Sequence, residues 1–408
     1  MCESDLRSKF SIAWRAIHHK TDRRHPVFQS ARGVTLSCLT VHAAPSTVEL
    51  GEYMANTETL FPILPGPHPS TLARAAADAP LDSAGHLTEY RPIACRSIVG
   101  KTVSRRGLPF THTINPYRGC EFGCRYCYAR FTHEFLEIRD PEEFERRIYF
   151  KQHAAWLLEQ ELAQLKPGTE IALGTATDPY QPLERKQCIT RSLLEVFARK
   201  RGFGLGIVTK STLIARDIDL LQQVASRHKL TVHLTVTTMN ARLARILEPR
   251  APGPDLRIRT LARLREAGIR AGVLCSPLMP GITDTRGSIN AVARAAAAAR
   301  ADFFAAGALF LKPCSQPTFF RFVREHFPEK LPDYERRYGS SAWVSPEYRQ
   351  RMADLVNSIC REHKLGKRYV DPLANEDEVP DAPKEIEVQP WLPFAPAGSM
   401  PPGQRKVS

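Results

Sequence analysis

Residues 115–130 read NPYRGCEFGCRYCYAR and place Cys120, Cys124 and Cys127 in the spacing Cys-x3-Cys-x2-Cys. Three thiolates this close suit a soft metal centre, because Gly119 and Gly123 let the loop wrap until the sulfurs face one another. A single iron or zinc ion would want a fourth protein ligand, and no fourth cysteine follows at ferredoxin or paired zinc-knuckle spacing. The nearest spare donors are His112 and His133, and His133 opens a segment that runs away from the loop. Three cysteines with an open corner fit a four-iron cluster, with three irons held by sulfur and the fourth left for a small molecule. Two blander readings stand beside it: a zinc knuckle closed by a distant histidine, or reduced core cysteines.

On either side of the loop the pattern is that of a parallel α/β fold. Residues 110–114 form a short strand that delivers the cysteines from its C-terminal end, where such folds place their sites. Residues 141–165 read as one long helix, with Phe144, Ile148, Ala155 and Leu158 near helical spacing, ended by Pro167-Gly168. Further strands are expected at 170–174, 204–209, 231–237, 272–278 and 304–311, with helices at 186–201, 215–228, 257–267, 285–301 and 318–326. Several strands are almost wholly apolar, as when helices cover the sheet. Six strands with right-handed crossovers give an incomplete parallel (β/α)6 barrel, two β/α units short of a full one.

The remaining motifs stand at the predicted strand ends: TDPYQPLE at 177–184, TKSTLIARDIDLL at 209–221, LEP at 247–249 and SPLMPGITD at 276–284. Together with the cysteine loop, in which Tyr126 fills the aromatic slot of Cys-x3-Cys-x-aromatic-Cys, they resemble the radical S-adenosylmethionine (SAM) superfamily, in its spore photoproduct lyase-related branch. The resemblance covers residues 115–327. It implies that Cys120, Cys124 and Cys127 ligate a [4Fe-4S] cluster whose remaining iron is chelated by SAM. It implies further that Thr177, Asp178 and Lys210 contact the methionine part of SAM, with Thr237 reaching it from the next strand. From the residues alone, Asp178-Pro179 equally shapes a turn, and the threonines equally pack or cap.

The activity implied is reductive cleavage of SAM to methionine and a 5′-deoxyadenosyl radical that abstracts hydrogen from a substrate. An external one-electron donor of the flavodoxin or ferredoxin type would be a partner. One departure is informative: the lyase carries a hydrogen-donating cysteine directly before its Ser-Asp pair, and this chain has Ala176 there. Cys275 and Cys314, near later strand ends, are substitute donors or buried structural thiols. Two rivals are an electron carrier without SAM turnover and a zinc-stabilised nucleic-acid-binding protein.

Composition bounds the rest. With 57 basic and 43 acidic residues among 408, the net charge is +14, which favours anionic partners such as nucleic acid or nucleotides. Solvated helix faces bearing Arg242, Arg245, Arg259, Arg263 and Arg265 would also account for it. No run approaches the roughly 20 apolar residues of a membrane span. Ten cysteines, seven of them scattered singly, do not form a disulfide framework, and a reducing cytoplasm is expected. Residues 1–90 read as a peripheral, partly disordered extension with Met54 as an alternative start and a proline- and alanine-rich linker at 62–79. The core is placed at 91–342. A helical extension follows at 343–373, its helix at 347–363 capped by Ser345 with Pro346 first, and then a disordered tail at 374–408.

Overall fold

Runs such as GLGIVT and KLTVHLT turn one apolar face to the covering helices and carry the site on their ends. The computed structural model describes residues 70–102 and 108–368; the expectations for residues 1–69, Met54 among them, and for 374–408 lie outside these. The strands in chain order are β1 Ser83–Ala84, β2 Glu89–Ile93, β3 Val99–Lys101, β4 His112–Ile114, β5 Tyr117–Arg118, β6 Arg147–Lys151, β7 Glu170–Leu173, β8 Gly204–Thr209, β9 Lys229–Thr235, β10 Ala271–Leu278 and β11 Phe304–Ala308. The helices are α1 Thr71–Ala77, α2 Glu143–Arg146, α3 Ala154–Leu162, α4 Glu184–Gln187, α5 Ile189–Arg199, α6 Ile218–Ala225, α7 Ala241–Leu247, α8 Pro254–Glu266, α9 Arg286–Ala298, α10 Gln316–His326, α11 Leu331–Tyr338 and α12 Pro346–Glu362.

Among the described residues the principal sheet runs β11-β10-β9-β8-β7-β4-β3. Strands β4, β7, β8, β9, β10 and β11 are parallel neighbours in sequence order, and β3 joins the β4 edge antiparallel. The six-stranded incomplete barrel is therefore present. Register aligns Ile114, Leu173, Ile207 and Val232 across four strands, and all four are fully buried against the helices. Burying one such side chain is worth about 1.5–3 kcal/mol. On the opposite side of that layer, α9 presents Ile289, Val292, Ala293 and Ala296 at helical spacing, all buried. Ser345 caps α12 through Tyr348 N, with Pro346 at its first position, as expected.

Two expectations are corrected. The long helix at 141–165 is interrupted by β6, because the run Ile148-Tyr149-Phe150 favours a strand and finds a partner in β2. His153, with φ of 55°, then turns the chain into α3. The linker expected at 62–79 includes α1, since alanine is the best helix former and the Ser70 hydroxyl caps it by accepting from Ala73 N at 3.0 Å. Ala76 packs with Ile93, Leu136 and Tyr149. A small second sheet, β1-β2-β6-β5, thus leads into the cysteine loop.

Candidate active site

The cysteine loop begins where β5 pairs with β6 and ends in a 3-10 helix, Tyr128–Leu136. Gly119 takes φ of 81°, and a Cβ there would lie 2.7 Å from Phe144 O; Gly123 takes φ of 63° beside the Arg250 guanidinium. Both glycines are required by the turn. Cys120 and Cys124 are 8% and 7% exposed, Cys127 is half-buried, and all three are reduced. Burial pushes the Cys120 thiol far above its usual range, reinforced by Asp178 and the other two cysteines. Burial raises Cys124 to about 12, and raises Cys127 against the pull of Arg130. Thiols this reluctant to ionise become thiolates when a cationic centre pays the electrostatic cost. Among the described residues no group of three or more His, Cys, Asp or Glu closes around the position of one metal ion. The three thiols lie near enough to perturb one another's ionisation, and three sulfurs on one loop fit a soft metal centre.

Every side of this loop is tied to the barrel. Cys120 N donates to Phe144 O, Arg125 N to Leu247 O, and the Ser315 hydroxyl to Cys127 O at 2.8 Å. Arg130, 1% exposed, donates to Cys124 O and to the buried Glu145 carboxylate. Asn115 holds Ala176 N at 2.8 Å, and Gln181 bridges Glu121 N, Gly119 O and the Thr177 hydroxyl.

The strand-end residues meet here, each held by groups of the chain itself. Thr177 donates to Gly119 O at 2.6 Å, so its hydroxyl braces the cysteine loop. Asp178 accepts from Tyr180 N and the Thr209 hydroxyl on one oxygen and from Lys210 N at 2.7 Å on the other. The carboxylate therefore shapes the β7 and β8 loops, and Asp178-Pro179 does build a turn. The Lys210 ammonium lies 5.6 Å from the centre of the Tyr126 ring. Burial opposes its charge, but Cys124 and Glu248 outweigh burial and raise its pKa. Tyr126 is buried, and its hydroxyl meets both the Thr237 hydroxyl at 3.1 Å and Glu248.

Glu248 and Arg257 are the residues that sequence reading missed. Glu248, 1% exposed, accepts from Tyr126 and from Thr237 at 2.8 Å, while Arg257, 2% exposed, places Nη2 2.5 Å from its other oxygen. Arg257 also donates to Pro252 O and Thr235 O. Burial alone would neutralise Glu248; Arg257 and then Lys210 hold it ionised below the usual carboxylate range. The available signal was the LEP segment, quoted for its resemblance without a role for its glutamate. Of the other donors considered, the two histidines are held in packing of their own, whereas Cys275 and Cys314 border the site. His133 is buried against Phe144 and Tyr149 with Nε2 3.0 Å from Arg147 O, and His112 Nδ1 is 2.9 Å from the Thr111 hydroxyl. Cys275 is buried with its Sγ 3.8 Å from Thr237 O, and Cys314 is half-buried next to Ser315.

A family model described as the radical SAM superfamily matches residues 114–288, the span from β4 into α9. An uncharacterized protein of Mycobacterium tuberculosis is 30% identical over 277 residues, covering 68% of this chain and 81% of its own length. An uncharacterized protein of Methanocaldococcus jannaschii is 30% identical over 173 residues, covering 42% of this chain and 62% of that one. Among solved structures, a spore photoproduct lyase mutant with bound SAM and dinucleoside spore photoproduct shares the fold, with a TM-score of 0.50, 13% identity, and 67% and 79% of the two chains covered. The fold and the site define an enzyme that uses SAM and an iron–sulfur cluster. This chain belongs to the radical SAM superfamily. Enzymes of the superfamily draw electrons from an external reductant, and no helix among the described residues is long and apolar enough to cross a membrane.

Proposed function

We propose that Cys120, Cys124 and Cys127 hold a [4Fe-4S] cluster, leaving one iron for the amino and carboxylate groups of SAM. The observation that carries this reading is the meeting of three reduced, largely buried thiols with the Lys210 ammonium at the C-terminal rim of six parallel strands. Such a cluster, reduced by a flavodoxin- or ferredoxin-type donor, would supply one electron for cleavage of the C5′–S bond of SAM to methionine and a 5′-deoxyadenosyl radical able to take hydrogen from the substrate. The chain's own residues position and exclude. Lys210 supplies a cation for the methionine carboxylate. Asp178 fixes the backbone that carries Lys210, and Thr177 braces the loop of Cys120 through Gly119. Tyr126 and Thr237, locked on Glu248, wall the site against water.

Nucleic acid or a nucleotide is the substrate class this reading favours. The net charge of +14 supports it, as does the fold shared with a lyase that binds a dinucleoside. Photoproduct repair by the lyase's own route is not proposed, because Ala176 has no S–H to give.

The test is anaerobic reconstitution with iron and sulfide, reduction with dithionite, addition of SAM, and chromatography for 5′-deoxyadenosine and methionine. Both products are expected from the parent chain, and neither from Cys124→Ala. A colourless protein carrying one zinc per chain would overturn the reading.

A further inference from the structure

Along β7, β8 and β9 the side chains alternate: Ile171, Leu173, Leu205, Ile207, Leu230, Val232 and Leu234 pack into the helical core. Their neighbours Ala172, Gly206, Val208, Thr231 and His233 face the other way and, with Pro109, Phe110 and Arg368 at its open mouth, line a pocket of about 180 Å³. It runs the length of the strands, from Glu170 and Lys229 at their beginnings to Thr175 beyond the end of β7. Thr175 is where the cavity meets the site, since its carbonyl accepts from the Tyr128 hydroxyl and its side chain from Asn115. Phe303 packs against His233 with ring centroids 5.0 Å apart and the planes tilted by 58°.

His233 is the polar group that this chamber leaves unsettled. It is 6% exposed, and its Nδ1 is sealed in packing with no hydrogen-bond partner. The Nε2 edge faces Gly206, 3.6 Å from where a Cβ would stand. Burial, with Arg368 and Arg270 nearby, keeps the ring neutral. A buried bare N–H is rarer than an under-used acceptor, so the single proton belongs on Nε2, toward the chamber. The size is informative as well: an apolar cavity of about 150 Å³ takes benzene.

We propose that the barrel lumen is a ligand chamber for a single ring bearing a hydrogen-bond acceptor, read by the Nε2–H of His233, with Gly206 keeping the ring's space open. Because the chamber meets the cysteine loop at Thr175, it deepens the proposed function: it would seat the part of the substrate below the reacting carbon, with His233 determining specificity.

Phenol and benzene serve as probes, titrated into full-length protein carrying ¹³C-labelled histidine rings, the His233 signal being identified by its absence in His233→Phe. Phenol is expected to shift that signal saturably. Loss of one hydrogen bond should make benzene about fivefold weaker in the parent chain, and the two probes should bind alike in His233→Phe, followed by calorimetry. Gly206→Val should weaken phenol more than tenfold. Gly206→Ala, whose Cβ would meet nothing closer than 3.6 Å, tests the same space should the valine variant not fold. A phenol titration that leaves the His233 signal in place, or that is unchanged in the Gly206 variants, overturns the chamber. Production of 5′-deoxyadenosine and the metal content of the parent chain are measured alongside: product without phenol binding sinks the chamber alone, and phenol binding by a colourless protein that carries one zinc and no cluster sinks the SAM-cleavage reading alone.

Discussion

Replacing Glu248 by alanine should damage the site more than any loss of exposed charge, and the structure sets the size. The carboxylate takes a hydrogen bond from Tyr126, one from Thr237 and an ion pair from Arg257, all within the buried interior. Each charge-assisted contact is worth about 1.5–3 kcal/mol, but the three are not additive, and breaking a buried pair costs about 3–5 kcal/mol in total. Arg257 retains Pro252 O and Thr235 O as acceptors, so its N–H groups stay partnered although its charge loses the counter-ion, and the lower end applies. The expected loss for Glu248→Ala is about 3 kcal/mol, or roughly 5 °C in Tm. Glu248→Gln, which keeps an acceptor for the two hydroxyls, should lose about half of that. Urea unfolding of the iron-free protein, followed by helical circular dichroism, measures both. Adding Arg257→Met to Glu248→Gln should recover part of the loss, because the orphaned charge is then gone. If Glu248→Ala shifts stability by less than about 1 kcal/mol, or the double variant is no better than the single one, the pair is not the brace described here.

Three further outcomes follow from the same geometry. Lys210→Ala should retain the brown colour of the reconstituted protein while SAM affinity falls about tenfold or more, read by equilibrium dialysis; unchanged affinity would remove Lys210 from the cofactor site. Asp178→Asn turns one acceptor oxygen into a donor against Lys210 N or Thr209 and should cost about 1–3 kcal/mol of stability, with SAM affinity falling as a consequence of the displaced loop. His133 has its pKa lowered from 6.5 to about 4, chiefly by burial. Since the folded state refuses the proton, stability is complete above pH 6.5 and declines as the pH falls toward 4, by about 3 kcal/mol in all. His133→Phe forfeits the bond to Arg147 O, about 1 kcal/mol at neutral pH, but escapes the acid loss. The two stability curves should therefore cross between pH 6.5 and 4, and parallel curves would refute the assignment.

The sequence by itself determined the parallel strands, their order along the chain and the three thiol positions. These are local properties: apolar runs with helical crossovers leave few topologies, and a Cys-x3-Cys-x2-Cys loop brings its own sulfurs together. It misjudged 141–165, because Ile148-Tyr149-Phe150 satisfies either period until β2 is seen beside it. It placed Asp178 at the site, but could not show that both its oxygens are spent on the backbone and hydroxyls of its own and the next loop. Arginine is the clearest case. Arg259 and Arg263 are exposed on α8, whereas Arg257, on the same helix, is buried on Glu248. Helical spacing sets Arg257 on the face of Leu261 and Leu264, but no feature of the string names its partner. Only the tertiary structure does so, because burial and pairing belong to what packs across from a residue, and Tyr126 stands 111 residues before Thr237 and 122 before Glu248.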